Sequence, residues 1–305
     1  MLTGLKLGDR RAVARACTLL ETLKPGSLAL IAGLQPLLGR GLVVGFTGPP
    51  GSGKSTLVNA YIRHLRGAGS RVAVIAVDPS SPISGGAILG DRVRMTAAVD
   101  DDGVFVRSLA SRGALGGLSP AAVRMIDVLD GAGFGHIVLE TVGTGQSEID
   151  VAEVADVRVV IAAPGLGDDI QAMKSGHLEI ADVVVVNKGD LAGADITLAQ
   201  LKSMLALRAG GRGKVPVLKT TATTGEGLDG LAAAIKTRGQ ATMAAGPAQR
   251  RRRRARYLIA RSAADLVAER IKGGGGADLD ALADDVLAGA ISLETAARKA
   301  LRFEP

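Results

Sequence analysis

Eight consecutive residues, Gly48, Pro49, Pro50, Gly51, Ser52, Gly53, Lys54 and Ser55, carry the spacing G-x-x-x-x-G-K-S. The chemistry such a stretch performs is capture of a polyphosphate with magnesium. Glycines let backbone N–H groups face phosphate oxygens, and the N-terminus of a following helix adds a favourable dipole. Lys54 would reach the β- and γ-phosphates, the Ser55 hydroxyl would ligate Mg2+, and Thr56 would complete the nucleotide-binding stretch. A glycine-rich turn without a ligand is the plain alternative, and Lys54 and Ser55 argue against it.

Asn187-Lys188-Gly189-Asp190 suits a purine base. An aspartate here can accept hydrogen bonds from N1–H and the exocyclic amine of guanine, a donor pair adenine lacks. The Lys188 stem can lie over the base, and Asn187 can tie this loop to the phosphate loop. The order of the two motifs favours GTP over ATP. Thr221 and Ala222 stand where a backbone N–H could meet guanine O6.

Acidic residues supply a third group. Glu140 closes the run Ile137-Val138-Leu139 and is placed to hold a magnesium-bound water; aspartate is usual here, and the longer glutamate favours contact through water. Gly143 is placed to sense the γ-phosphate, and Gln146, in the segment Thr144–Glu148, is a candidate to position the attacking water. A polar loop residue is the alternative for Gln146. Asp78 and Asp91 read as metal-shell or water-orienting groups, with a strand-end turn and a helix cap as their alternatives. The proposed catalytic set is Lys54, Asp78, Asp91, Glu140 and Gln146. The metal set is Ser55, Asp78, Asp91 and Glu140. His64, His136 and His177 have no metal-ligand spacing. Arg107, Arg112 and Arg124 could meet phosphates or a partner, but exposed arginines are usually only solvated.

These residues need a scaffold that brings strand ends together. Apolar runs at Leu42–Phe46, Val72–Val77, Val104–Val106, Ile137–Leu139, Val157–Ala162, Val183–Val186 and Val215–Leu218 alternate with helical segments such as Thr56–Leu65, Ala121–Leu129 and Leu198–Leu207. Continuous apolar strands separated by helices predict a mainly parallel sheet covered on both faces, with ligands at the carboxyl ends of the strands. Before it, residues 1–40 form a helical extension. Asp9 caps a helix with an apolar stripe at Val13, Ala16, Leu19, Leu20 and Leu23, and a short helix runs from near Leu28 toward Pro36. Residues 41–240 make the nucleotide-binding domain. Thr237–Pro247 reads as a loop-like boundary. Residues 241–305 make a helical arm, with a long helix over Arg250–Ile271 whose Ile259, Ala263, Leu266, Val267 and Ile271 share one face. Two short helices follow over Asp278–Leu301, with Ser292 as a cap between them.

Hydrophobic residues make up 47% of the 305, with four Phe, two Tyr and no Trp, so the core must be aliphatic. No uncharged apolar stretch of membrane-spanning length appears, and the first residues lack the apolar centre of a signal peptide. The single cysteine, Cys17, excludes an internal disulfide and fits a reducing cytoplasm. The net charge of +7 owes much to Arg250–Arg254 and Arg256. Without interleaved aromatics, that run reads as a solvated basic helix start or partner-docking face rather than a nucleic-acid surface.

The strings GPPGSGKST, DPSSPISGGAILGDRVRM, SRGALGGLS, ETVGTGQSE, DDIQAMKSGHLEIAD and NKGD, in this order, resemble the MeaB/ArgK family of GTPases, relatives of the human cobalamin type A protein. The resemblance runs from near residue 8 to about residue 236. It implies a P-loop NTPase fold with an N-terminal helical extension and a C-terminal helical dimerisation arm. It also implies a metallochaperone, which couples GTP binding and hydrolysis to assembly, protection or reactivation of an adenosylcobalamin-dependent acyl-CoA mutase, methylmalonyl-CoA mutase first among them. It implies a homodimer, and a further switch loop over residues 165–176 in which Asp169, Gln171 and Lys174 signal nucleotide state to the mutase. Two alternatives stay open: an ATP-dependent kinase linked to lysine, arginine and ornithine transport, which the guanine loop opposes, and a nucleic-acid-associated regulatory GTPase, suggested by the arginine run.

Overall fold

The computed structural model describes residues 2–6, 8–78, 101–110, 120–141, 151, 153–165, 177–207, 215–272 and 276–301. The chain divides into two compact units, Met1–Arg254 and Ala255–Pro305. The first therefore extends past the expected boundary at residue 240.

Strands β1 (Leu42–Thr47), β2 (Val72–Asp78), β3 (Val104–Ala110), β4 (His136–Thr141), β5 (Val157–Ala162), β6 (Val183–Val186) and β7 (Val217–Lys219) form one sheet in the order β3-β2-β4-β1-β5-β6-β7. Every pairing is parallel. Strand β1 lies between β4 and β5, with Phe46 beside Glu140 and Thr47 beside Val160. This register delivers three strand ends to one place. β3 is longer than its apolar start predicts: as an edge strand it carries Arg107 and Ser108 without burying both faces. Pro216, just before β7, lacks an N–H, but its carbonyl accepts from Val184 N.

The first helices are α1 (Leu2–Lys6), α2 (Arg10–Thr22) and α3 (Ser27–Leu34), the last leading into a 3-10 turn over Gln35–Leu37. Asp9 caps α2, accepting from Arg11 N at 2.7 Å and Ala12 N at 3.3 Å. Val13, Ala16, Cys17 and Leu20 are buried against α5 (Pro120–Gly131). Leu23, expected on that stripe, instead ends the helix at φ 47° and is exposed. Arg107 Nη2 donates to Glu21 Oε2 at 2.7 Å, and Arg124 Nε donates to Leu20 O at 3.2 Å. Both arginines thus hold the N-terminal extension to the sheet domain. Arg112 lies outside the described residues.

Helices α4 (Lys54–Gly67), α6 (His177–Ile180), α7 (Ala194–Leu207) and α8 (Leu228–Ala244) complete the cover of the sheet. Phe46, Leu57, Val58, Tyr61, Ile161, Leu231 and Ile235 lie in one aliphatic-rich cluster, with the Phe46 and Tyr61 rings 5.6 Å apart. Val160, Val184, Val186, Leu178 and Leu201 form another. The segment from Thr237 is not a loop: α8 continues to Ala244, because small alanine-rich residues favour helix and Gly239 lets it approach β1. A Cβ at Gly239 would meet Leu42 Cδ2 at 2.8 Å.

Helix α9 (Pro247–Lys272) begins within the first unit. Its arginines correct the expectation of a solvated basic face. Arg250 and Arg254 are buried. They donate to Asp156 Oδ2, each at 2.9 Å, and Arg250 also donates to Gly39 O and Gly41 O. Arg252 and Arg256 remain exposed.

In the second unit, Ser292 caps α11 (Leu293–Ala300) by accepting from Thr295 N, after α10 (Gly276–Leu287). Ile259, Leu266, Leu287 and Leu293 are exposed. Among the described residues no helix is long and apolar enough to cross a membrane.

Candidate nucleotide site

The phosphate loop joins β1 to α4, so it sits at the carboxyl end of a central strand. Two glycines are demanded by its shape. Gly48, at φ 148°, lies so close to Ile161 O that a Cβ would overlap it, and Gly53, at φ 83°, would place a Cβ 2.5 Å from Asn187 Nδ2. Ser52 N donates to Pro49 O, closing the turn. Lys54 is buried, and its Nζ donates to Gly48 O at 2.7 Å and Pro49 O at 3.0 Å. The ammonium is thereby held over the loop, next to the strand end.

Ser55 Oγ donates to Glu140 Oε1 at 2.6 Å. The pair exists because β4 lies beside β1, which sets the buried Glu140 opposite Phe46. The two side chains expected to serve the metal are thus in direct contact with each other. A hydroxyl and a carboxylate converging at a helix start are hard oxygen donors of the kind Mg2+ takes beside phosphate oxygens. Thr47 Oγ1 and Ser52 Oγ are buried there without a hydrogen-bond partner among the described residues.

Asn187, 1% exposed, joins three segments. Its Nδ2 donates to Ser52 O at 3.0 Å, and its Oδ1 accepts from Thr220 Oγ1 and Ala222 N, both at 3.2 Å. Gly189 N donates to Thr220 O. Lys188 adopts φ 57°, a left-handed conformation rare outside glycine, and the exposed Asp190 follows. Thr221 N donates to Glu226 O, and Ala222 N donates to Asn187 Oδ1. Thr220 was not anticipated; a hydroxyl beside Thr221 was its only sequence signal.

Asp78 closes β2, one strand from Glu140's own. Asp91, Gly143, Gln146, Asp169, Gln171 and Lys174 lie outside the described residues. The structure thus brings together Gly48, Gly53, Lys54, Ser55, Glu140, Asn187 and Ala222.

The family described as methylmalonyl-CoA mutase-associated GTPase MeaB matches residues 13–275. A putative GTPase of Pyrococcus horikoshii is 45% identical over 277 residues, covering 89% of this chain and 87% of that protein. The mitochondrial methylmalonic aciduria type A homolog of Mus musculus is 36% identical over 250 residues, covering 75% of this chain and 60% of that protein. Among solved structures, one described as a LAO/AO transport system kinase superposes with a TM-score of 0.76 at 28% identity, covering 99% of this chain and 95% of that one. A phosphate loop, a guanine-type loop on a parallel sheet and a match across most of the sequence agree: the chain belongs to the MeaB family of GTPases.

Proposed function

We propose that GTP binding and hydrolysis by this chain time the assembly, protection or reactivation of an adenosylcobalamin-dependent acyl-CoA mutase, with methylmalonyl-CoA mutase as the first candidate. The observation that carries the nucleotide part is Asn187, which fastens the phosphate loop and the 220–222 segment into one unit. Phosphate and base subsites are then preorganised together. The mutase part is supported by the family's description and by the name of the mouse relative.

In this reading Lys54 Nζ exchanges its two carbonyl acceptors for the β- and γ-phosphates. Ser55 Oγ and Glu140 would hold Mg2+, which when bound supplies charge neutralisation at the phosphate oxygens. Asp190 recognises guanine, Asp78, Asp91 and Gln146 order metal-bound or attacking water, and Gly143 senses the γ-phosphate. Asp169, Gln171 and Lys174 carry the signal to the mutase. Turnover is slow in isolation and rises when the mutase orders these segments. The working form is a cytoplasmic homodimer, a reading supported by the exposed Ile259, Leu266 and Leu293 of the C-terminal unit.

The deciding experiment is capture of purified mutase by the protein loaded with GDP or with a non-hydrolysable GTP analogue. Capture that depends on the nucleotide is expected; equal capture in both states, or none, would sink the chaperone reading. Following labelled γ-phosphate in the same samples separates the kinase alternative, which would leave label on protein rather than in solution.

A further inference from the structure

Asp156 is the last residue before β5, and its side chain is fully buried. Its Oδ2 accepts from Val43 N of β1 at 3.0 Å, as well as from Arg250 and Arg254 of α9. Its N–H donates to Val43 O, and its carbonyl accepts from Thr242 of α8. One residue thus joins the roots of two strands to two helices. The same strands end at the nucleotide site: β1 runs into Gly48, which rests against Ile161 of β5. From Val43 to Gly48 is about 16 Å of extended chain.

The cluster is incompletely bonded at the carboxylate, as it is at Arg250 Nε and Arg253 Nε. Asp156 Oδ1 is buried and has no hydrogen-bond partner among the described residues. Arg253 Nη2 stands 3.8 Å away and donates instead to Ala155 O at 2.6 Å. Its side chain is 37% exposed, so it can move where Arg250 and Arg254 cannot. A shift of about 1 Å would bring the guanidinium within hydrogen-bonding range of Oδ1. Arg253 thus occupies one acceptor and has a second, unfilled one beside it.

We propose that Arg253 and Asp156 form a conformational relay between the nucleotide site and helix α9. In one state Arg253 donates to Ala155 O; in the other it donates to Asp156 Oδ1, and the start of α9 moves with it. Displacement of β1 relative to β5 by the phosphates selects between them. Because coupling is reciprocal, a partner that holds α9 in one state changes nucleotide affinity by the same factor.

Hydrogen exchange of the backbone amides from Arg250 to Arg254 tests this, with the full chain loaded with GDP or with a non-hydrolysable GTP analogue. At least about a threefold difference in exchange rate between the two states is expected in the wild type. Arg253→Gln should erase that difference while leaving the affinity for GDP within about twofold. Identical exchange in both wild-type states overturns the relay, as does a difference that survives in Arg253→Gln. Nucleotide affinity is measured on the same samples, so failure of the nucleotide site is distinguished from failure of the relay. The wild-type comparison decides alone if the variant does not fold.

Discussion

At the carboxyl end of β1, Lys54 and Glu140 lie beside glycine-built backbone, with buried hydroxyls of Thr47 and Ser52 still lacking partners among the described residues. At its amino end, Asp130 accepts from the N–H groups of Gly39, Arg40 and Gly41, and Asp156 from Val43, Arg250 and Arg254. Both ends gather buried carboxylates, cationic side chains and glycine turns. They differ in what completes them. The amino end is closed almost entirely by the chain's own donors. The carboxyl end holds its lysine on loop carbonyls, which phosphate oxygens replace in the proposed reading. Burial of a charged group alone does not mark function; the identity of its partners does.

Removing the centre of the amino-end cluster should have the largest effect. Asp156→Ala removes the carboxylate to which Arg250 and Arg254, with side chains 3% and 6% exposed, donate. Breaking a buried pair from one side costs about 3–5 kcal/mol, a large part of a domain's stability. Urea unfolding would measure it. A loss below about 1 kcal/mol would mean the cluster behaves like a solvated surface pair, and the contrast between the two ends would collapse. Lys54→Ala is the converse. Nucleotide binding or hydrolysis should fall on the order of 100-fold, while unfolding shifts by less than about 1 kcal/mol. Unchanged turnover would remove this loop from the chemistry.

What the sequence made legible follows the same division. The phosphate loop could be read because its contacts come from contiguous residues, and Asn187–Asp190 because a short motif follows an apolar strand. Central strands announced themselves as short runs rich in Val and Ile, and β5 and β6 match their expected limits. The amino-end cluster was hidden. Asp156 meets Arg250 across 94 residues and Asp130 meets Gly41 across 89, and neither acid belongs to a local pattern. Five consecutive arginines have no periodicity that separates Arg250 and Arg254 from the exposed Arg252; only their position on α9 opposite Asp156 does so. Likewise the glycine and threonines of residues 237–244 suggested a loop, whereas close packing of Gly239 on Leu42 turns them into helix.

The smallest effect concerns Asp127, on the rim of the amino-end cluster. Burial raises its carboxyl above the ordinary value; Arg251 and Arg254 partly counter this, and Asp130 adds to it. A carboxyl that keeps its proton more firmly in the folded state stabilises the fold below its unfolded value, near pH 4. That contribution is lost as pH rises through the raised folded value. Asp127→Asn cannot ionise, so its stability relative to wild type should increase from about pH 4 toward neutrality and then level off. Urea unfolding of both proteins at several pH values follows the difference. Parallel curves would show that Arg251 and Arg254 of α9 offset the burial of Asp127 in full.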